Sequence, residues 1–273
     1  MNRQNQFTLL WIVVTFHHLG SAFLSSPTKL FGVETPFVCG GSNDKFLSVS
    51  SSSSSHRMTS SKEEEGELVT IPTVEQLAKD SFMDQISHAS QLVWMLQDYP
   101  QEDEDRLSDL LQAQLSHSDG IRGFFATYLT WENEEEGKPQ AADSKEIPQP
   151  LVLAMKAADP SIIVPLACKN VVMPTAMSTM HQDPQLQSDA ALTAQRGIRI
   201  LSFLAKHNNN NKDEEDSLVS RNCNAIMEAT SIDATSSSSS NELVDYWNKF
   251  FTNYNYGTQQ KQDIMKAIEQ VPF

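Results

Sequence analysis

The residue types best suited to chemistry are concentrated in one short segment of the sequence, from Cys168 to Asp183. This segment contains a thiol, an amine at Lys169, an amide at Asn170, three methionines and an imidazole at His181. Thioether, thiolate and imidazole groups are ligands that Cu(I) prefers, so a soft-metal site is one interpretation. Methionine also fills irregular gaps in helical cores, and a single histidine is little support for copper. We therefore predict a core helix here and no metal site.

Two cysteines, Cys168 and Cys223, are candidates for redox chemistry. They lie 55 positions apart, and the third cysteine, Cys39, is near the N-terminus. A thiol pair that forms and breaks a disulfide would respond to the redox state of its compartment. Two independent buried thiols are the alternative, because a buried cysteine behaves as a small hydrophobic residue. Three cysteines are too few for a disulfide framework.

Arginines near small and aromatic residues are candidates for binding an anion. Arg196 and Arg199 lie on one predicted helix, and Arg122 is followed closely by two phenylalanines. A partly buried arginine can bind a carboxylate or a phosphate through two parallel hydrogen bonds. The alternative is that these arginines pair with some of the many acidic residues. For a ligand pocket between helices, the predicted binding residues are Asn170, His181, Arg196 and Arg199.

Motifs of the common enzyme classes are absent from the sequence. It has no Gly-rich phosphate loop, no His-Glu-x-x-His pair and no Gly-x-Ser-x-Gly turn. Each of these arrangements serves a particular chemistry, namely phosphate binding, zinc hydrolysis and acyl transfer. We therefore assign no catalytic residue and no cofactor, and whether the protein is an enzyme stays open.

Apolar residues recur at helical spacing through most of the sequence after residue 70. Thr73 and Gln76 have the spacing of a capping box, which predicts the start of a helix. Its apolar stripe continues to Trp94, and Tyr99-Pro100 predicts its end. No segment shows the alternation of a strand over a convincing length. We predict a single all-α domain over residues 70–273, with eight or nine helices in antiparallel packing.

Two of the predicted helices have features that affect packing. Pro165 and Pro174 interrupt the apolar segment after Asp159, which predicts two short helices or one kinked helix. The next predicted helix has small residues around Gly197, which would let another helix approach it closely. Acidic or low-complexity stretches predict loops at residues 132–147, 208–216 and 234–240.

The charge balance of the chain is strongly acidic. It has 20 Lys and Arg against 35 Asp and Glu, which gives a net charge of −15. Affinity for nucleic acids and for anionic membranes depends on basic residues, so neither is an expected partner. The longest apolar run, Phe7–Phe16, is far shorter than the ~20 residues that a membrane-spanning helix needs. We therefore predict a soluble protein without a membrane span.

The first 57 residues have the composition of targeting signals. Residues 1–22 combine a basic residue, an apolar run and small residues, which is typical of a signal peptide. Residues 23–57 contain ten serines and two acidic residues, which is typical of a transit segment. Their junction, Gly20-Ser21-Ala22-Phe23, resembles the Ala-Ser-Ala-Phe junction of bipartite plastid presequences in algae with secondary red-type plastids, such as diatoms. This resemblance implies entry into the ER route followed by import into the plastid.

Two further features favour the plastid stroma. The chain has 15 asparagines but no Asn-x-Ser/Thr sequon, which disfavours a secreted glycoprotein. No second apolar targeting segment follows Phe23, which disfavours the thylakoid lumen. We expect the second cleavage near Arg57-Met58.

Two functions remain open from the sequence. The first is a non-catalytic stromal accessory protein that assists or regulates a larger complex through protein contacts, with its acidic surface favouring basic partners. In this case one or two rings of the aromatic C-terminal stripe around Trp247 would be available to a partner. The second is a small-ligand-binding protein or an uncommon enzyme with a pocket between helices.

Overall fold

The computed structural model of the chain describes residues 71–97, 103–132, 140–208, 217–231 and 241–273. These residues contain ten helices and no strand, so the predicted all-α class is confirmed. All of them belong to one compact unit. The helices are α1 (Val74–Leu77), α2 (Phe82–Gln97), α3 (Glu104–Gln114), α4 (Ser118–Thr130), α5 (Gln149–Ala157), α6 (Pro160–Met180), α7 (Pro184–Asn208), α8 (Leu218–Thr230), α9 (Glu242–Asn253) and α10 (Thr258–Ile268).

Helix α6 lies at the centre of the packing. It contacts α4, α7, α8 and α10, and most of its residues from Ile163 to Ala176 are buried. Within the described residues it is the one helix long and apolar enough to cross a membrane, but 67% of its apolar window is buried inside the protein. A core helix has this composition as well, so α6 gives no clear membrane span.

The two internal prolines do not divide α6. Proline has no N–H, so Pro174 leaves the carbonyl of Asn170 without its usual helical donor. That carbonyl lies against Gly197 on α7, where an added Cβ would be 2.5 Å from the oxygen. The prediction of a close helix approach at Gly197 is therefore confirmed, while two separate short helices are not observed.

The predicted first helix is divided into α1 and α2. The capping box is confirmed, because the Thr73 amide donates to Gln76 Oε1 at 2.8 Å and the Gln76 amide donates to Thr73 Oγ1 at 3.3 Å. Helix α1 ends after one turn, where Gln85 Nε2 donates to the carbonyl of Leu77 at 2.7 Å. A side chain from α2 thus donates to a free carbonyl at the end of α1. Because the predicted first helix is two helices, the total is above the predicted eight or nine.

Helix α4 contains two glycines, Gly120 and Gly123, in its first turns. His117 is the N-cap residue, and its Nδ1 accepts a hydrogen bond from the Gly120 amide at 3.3 Å. At Gly123 an added Cβ would lie 2.9 Å from the Cβ of Gln85, so α2 and α4 need a glycine here to approach closely. Ser118, Asp119 and Gly120 form the first turn of α4.

The predicted loops are described only in part. Residues 140–148 connect towards α5 without helix or strand. The remaining parts of the predicted loops, residues 133–139, 209–216 and 234–240, lie outside the described residues.

Candidate functional site

Arg196, a predicted ligand-binding residue, is fully engaged within the protein. Its side chain is 3% exposed, and its Nε and Nη2 donate to the Asp143 carboxylate at 2.8 and 2.6 Å. Nη1 donates to the carbonyls of Leu129 and Trp131 at 2.8 and 3.1 Å, and Nη2 also donates to Gln140 Oε1 at 2.7 Å. These contacts use all five N–H donors of a guanidinium group. In this structure Arg196 joins the end of α4 to the segment before α5 and has no donor left for a ligand.

The other three predicted pocket residues have different surroundings. Arg199 Nη1 donates to the carbonyl of Ala142 at 2.7 Å, next to the Arg196 contacts. Asn170 Nδ2 donates to the carbonyl of Leu166 within α6 at 2.9 Å. His181 ends α6, eleven positions after Asn170 and therefore about 16 Å further along the helix. The structure brings the two arginines together, and the Asn170 backbone lies against Gly197 between them, but the Asn170 amide is used within α6. His181 lies further along α6.

The two candidate redox cysteines lie in contact. Cys168 on α6 and Cys223 on α8 are free thiols with no exposed surface. A side-chain hydrogen bond with Cys223, followed by burial, raises the pKa of Cys168 well above its ordinary value. The Cys168 thiol is therefore protonated at neutral pH, and the pair has the proximity that the redox hypothesis requires. Their reactivity stays a prediction.

Sequence reasoning noted Lys169 but gave it no role, and it is the most unusual charged residue that the structure describes. Its side chain is 2% exposed, and its Nζ lies 5.6 Å from the ring centroid of Tyr246 and 5.9 Å from that of Phe250. Burial, and secondly the charge of Arg122, lowers its pKa to about 7. The sequence feature that could have indicated it is that Lys169 is the single charged residue in α6.

Arg122 on α4 supplies a second cation to the same region. Its Cζ lies 4.5 Å from the Phe82 ring centroid, and its Nη1 donates to Asp119 Oδ1 at 3.1 Å. Its side chain is only 16% exposed, and burial lowers its pKa from the ordinary value, although an arginine stays charged at neutral pH. The positive charge of Arg122 partly offsets the effect of burial on the pKa of the Tyr254 phenol.

We call Lys169, Arg122, Tyr246, Phe250 and Tyr254 the cationic-aromatic cluster. Phe250 on α9 and Tyr254, which follows that helix, have ring centroids 4.7 Å apart. Burial raises the pKa of Tyr254 to about 12 and that of Tyr246 further, so both phenols are neutral at pH 7. The cluster therefore combines a charged arginine and a lysine amine whose pKa is near neutral with uncharged aromatic faces.

Helix α2 has two large apolar side chains exposed to solvent. Trp94 is 70% exposed and Met83 is 56% exposed. Eleven positions are about three helical turns, so the two side chains lie on one face, which we call the α2 face. The assignment of Trp94 to the buried stripe is wrong, because the core-facing positions of α2 are taken by Ile86, Ala89, Leu92, Val93 and Leu96.

A comparison with known protein families gives a match over residues 81–271 to the family described as uncharacterised conserved protein UCP020893. The chain belongs to this family. No curated protein and no solved structure gives a significant match. The matched residues run from α2 to α10, so they include the cationic-aromatic cluster, the thiol pair and the α2 face. Residues 1–70 lie outside the match and outside the described residues, so the plastid presequence stays a prediction.

Proposed function

We propose that the protein is a non-catalytic accessory protein of the plastid stroma that acts through protein–protein contacts. The observation that carries this proposal is the α2 face, where Trp94 is 70% exposed and Met83 is 56% exposed. Tryptophan is enriched among the residues that dominate binding energy at protein interfaces. An indole held on a helix loses little conformational entropy when a partner covers it.

The charge of the chain favours a basic partner for this face. The net charge is −15, and Asp84 is exposed directly beside Met83. Acidic surfaces accelerate the approach of basic partners and disfavour acidic ones. We therefore expect a partner that offers an apolar groove for the indole with basic residues at its rim.

The stromal location is supported by the N-terminal sequence. Gly20-Ser21-Ala22-Phe23 resembles the junction of bipartite plastid presequences, and residues 23–57 are rich in serine and poor in acidic residues. Such a presequence is removed in two steps, the second near Arg57-Met58.

Affinity purification of a C-terminally tagged chain from isolated plastids tests both parts of the proposal. We expect mass spectrometry to give an N-terminus near Arg57-Met58 and one or more partners in stoichiometric amount. Trp94→Ala should remove the partner, whereas Leu192→Ala should keep it, because Leu192 is a moderately exposed apolar residue on α7.

Three results would contradict the proposal. Absence of the tagged chain from plastids would overturn the location. A trimmed chain that is recovered alone, or a partner that Trp94→Ala retains in full, would overturn the role of the α2 face.

A second candidate function is a small-ligand-binding protein or an uncommon enzyme. The observation that favours it is the cationic-aromatic cluster, because strongly perturbed lysines concentrate at functional sites. This candidate does not depend on the α2 face, since Trp94 and Lys169 lie on different helices.

A further inference from the structure

The residues of the α2 face are spaced symmetrically about the midpoint of the face. Four positions of α2 lie within about 60° of one another around the helix axis, because each residue turns an α-helix by about 100°. They are Met83, Ser87, Ser90 and Trp94, at steps of four, three and four residues. Three of them are exposed, and Ser90 is half-buried. Alternating steps of four and three are the spacing of a seam along which two helices pair.

A second copy of α2 that runs in the opposite direction matches this spacing position by position. Met83 and Trp94 are equally distant from the midpoint, so Met83 of each copy meets Trp94 of the other, and methionine sulfur makes favourable contacts with aromatic rings. By the same symmetry Ser87 meets Ser90. Two crossing helices are closest at the crossing point, where the serines are small, and diverge towards their ends, where the large side chains fill the wider space.

The charges of α2 favour an antiparallel pair over a parallel one. Asp84 is the single Asp, Glu, Lys or Arg of α2, and it lies about 100° around the helix from Met83. An antiparallel pair separates the two Asp84 positions by about 14 Å along the axis, which exceeds the Debye length of about 8 Å at physiological salt. A parallel pair would place both carboxylates at one end. The antiparallel pair also brings the positive N-terminal end of each helix beside the negative C-terminal end of the other.

We propose that the α2 face pairs with the α2 face of a second copy of this chain, in a reversible antiparallel dimer with two-fold symmetry. The same patch is used on both copies, so the assembly closes at two. The dimer regulates the accessory function and in this respect rests on the proposed function, because a chain that has Trp94 covered by its own copy cannot present it to another partner.

The exposed area of the face sets the strength of the dimer. A tryptophan side chain buries up to about 250 Å², so Trp94 at 70% exposure offers roughly 170 Å² on each copy. A seam of one helix from each copy stays below the total of about 1,200 Å² that stable interfaces bury. We therefore expect a dissociation constant of about 1 to 100 µM, so that dimer and monomer exchange.

Sedimentation of the purified full chain, at concentrations up to about 200 µM, tests this proposal. Trp94→Ala should raise the dissociation constant by about tenfold or more, and circular dichroism should show an unchanged fold because the indole lies outside the core. Leu192→Ala is the matched control, since Leu192 is a 39% exposed apolar residue on α7, and it should leave the dissociation constant within about twofold. Association through any other part of the chain would be equal in all three proteins.

Cysteine cross-linking tests the register of the pair. Ser87→Cys and Ser90→Cys variants, each in a Cys39→Ser background and with tags of different size, are mixed and treated with diamide. Two thiols then form one disulfide, and diamide takes up the two electrons and two protons. We expect the disulfide mainly between the two different variants, because Ser87 meets Ser90 in the antiparallel pair. Cys168 and Cys223 are buried and are the same in both variants.

The effect of salt separates this dimer from the complex with a basic partner. Each copy has a net charge of −15, so long-range repulsion opposes the dimer and salt screens it. Raising NaCl from about 0.02 M to about 0.3 M should therefore strengthen the dimer several-fold, whereas it should weaken the attraction of a basic partner.

Three results would overturn the dimer. They are a monomer at about 200 µM at both salt concentrations, an unchanged dissociation constant for folded Trp94→Ala, and disulfides formed only within each cysteine variant. These measurements use the purified chain alone. A plastid partner that Trp94→Ala loses, together with a chain that stays monomeric, would keep the accessory role and reject the dimer, and the opposite pair of results would do the reverse.

Discussion

Arg196 shows how far the residue type alone constrains function. The sequence places it on a helix with small neighbours, which fits an anion-binding arginine and a structural one equally well. In the structure its five donors reach two backbone carbonyls, one amide and both oxygens of Asp143. The distinction depends on residues between 129 and 143, which are more than 50 positions away and cannot be inferred from local spacing.

Arg196→Lys tests the structural role of the guanidinium. Lysine keeps the charge but has three donors on a point-like group, so at least two of the described contacts are lost. We expect the free energy of unfolding to fall by roughly 2–4 kcal/mol, measured by urea denaturation. Arg221→Lys is the control, because Arg221 is exposed on α8, and it should change stability by less than about 0.5 kcal/mol. Equal effects of the two substitutions would contradict this role.

Lys169→Met tests the cost of burying the amine. The folded-state pKa is about 7 and the ordinary value is 10.5, so the unfolded chain binds more protons than the folded chain between these two pH values. The free energy of unfolding therefore rises with pH from about 7 to about 10.5. Below pH 7 the full cost of burying the charged amine is present. We expect the variant to be more stable than the wild type by a few kcal/mol, to order of magnitude, at pH 6.5.

The same reasoning fixes the pH dependence of this difference. The gain from Lys169→Met should shrink steadily between pH 7 and pH 10, as measured by denaturation at several pH values. A gain that does not change with pH, or a loss of stability at pH 6.5, would show that Lys169 is not destabilised by burial.

At the scale of helices, local sequence patterns predicted where helices form, but they did not predict the contacts between helices. The capping box at Thr73 and the apolar stripes of α3, α5, α7 and α9 are properties of neighbouring residues, and the structure contains these helices. The end of α1 depends on Gln85, which satisfies the carbonyl of Leu77 from another helix. The residues around Leu77 do not predict this contact, because the apolar stripe continues from α1 into α2.

The candidate site was less predictable for the same reason. The sequence picked Cys168 and Cys223 by residue type alone, and the structure places them in contact across α6 and α8. It did not single out Lys169, because an isolated lysine in an apolar helix looks like a surface position until its neighbours are known. Trp94 was misplaced because it lies beside Val93 at the edge of the apolar stripe, where one helical position decides between core and solvent.

Gly197→Ala tests the contact between α6 and α7. Alanine favours helix by up to about 1 kcal/mol, but its Cβ would lie 2.5 Å from the carbonyl oxygen of Asn170. The obstacle is backbone, so the helices must separate, and we expect a net loss of roughly 1–3 kcal/mol in thermal or chemical unfolding. Gln195→Ala, at an exposed position of α7, should be nearly neutral. A stabilising Gly197→Ala would mean that α7 moves away at no cost.

At the scale of the whole molecule, the thiol pair links distant parts of the chain. Cys168 and Cys223 enclose 54 residues, and a disulfide between them would restrict the unfolded chain over that entire length. Diamide should convert the two thiols into one disulfide, with two electrons and two protons passing to the oxidant. The chain-entropy relation gives an upper estimate of about 4 kcal/mol for the added stability.

Intact mass and alkylation after diamide treatment measure this reaction, with Cys39→Ser as the background. We expect slow oxidation, because both thiols are buried and the pKa of Cys168 is raised. Cys223→Ser should show no intramolecular product. Recovery of two alkylatable thiols after prolonged treatment would reject the redox hypothesis.

Two tryptophans differ in exposure, so their fluorescence can report on different parts of the protein. Trp94 is 70% exposed, whereas Trp247 has no exposed surface and lies 5.4 Å from the ring of Phe250. An indole in water emits at longer wavelength and is quenched by iodide, while an enclosed indole emits at shorter wavelength and is protected. With Trp11 and Trp131 replaced by Phe, a binding partner on α2 would therefore change the red, quenchable emission, and a change of packing beside Phe250 would change the blue, protected emission.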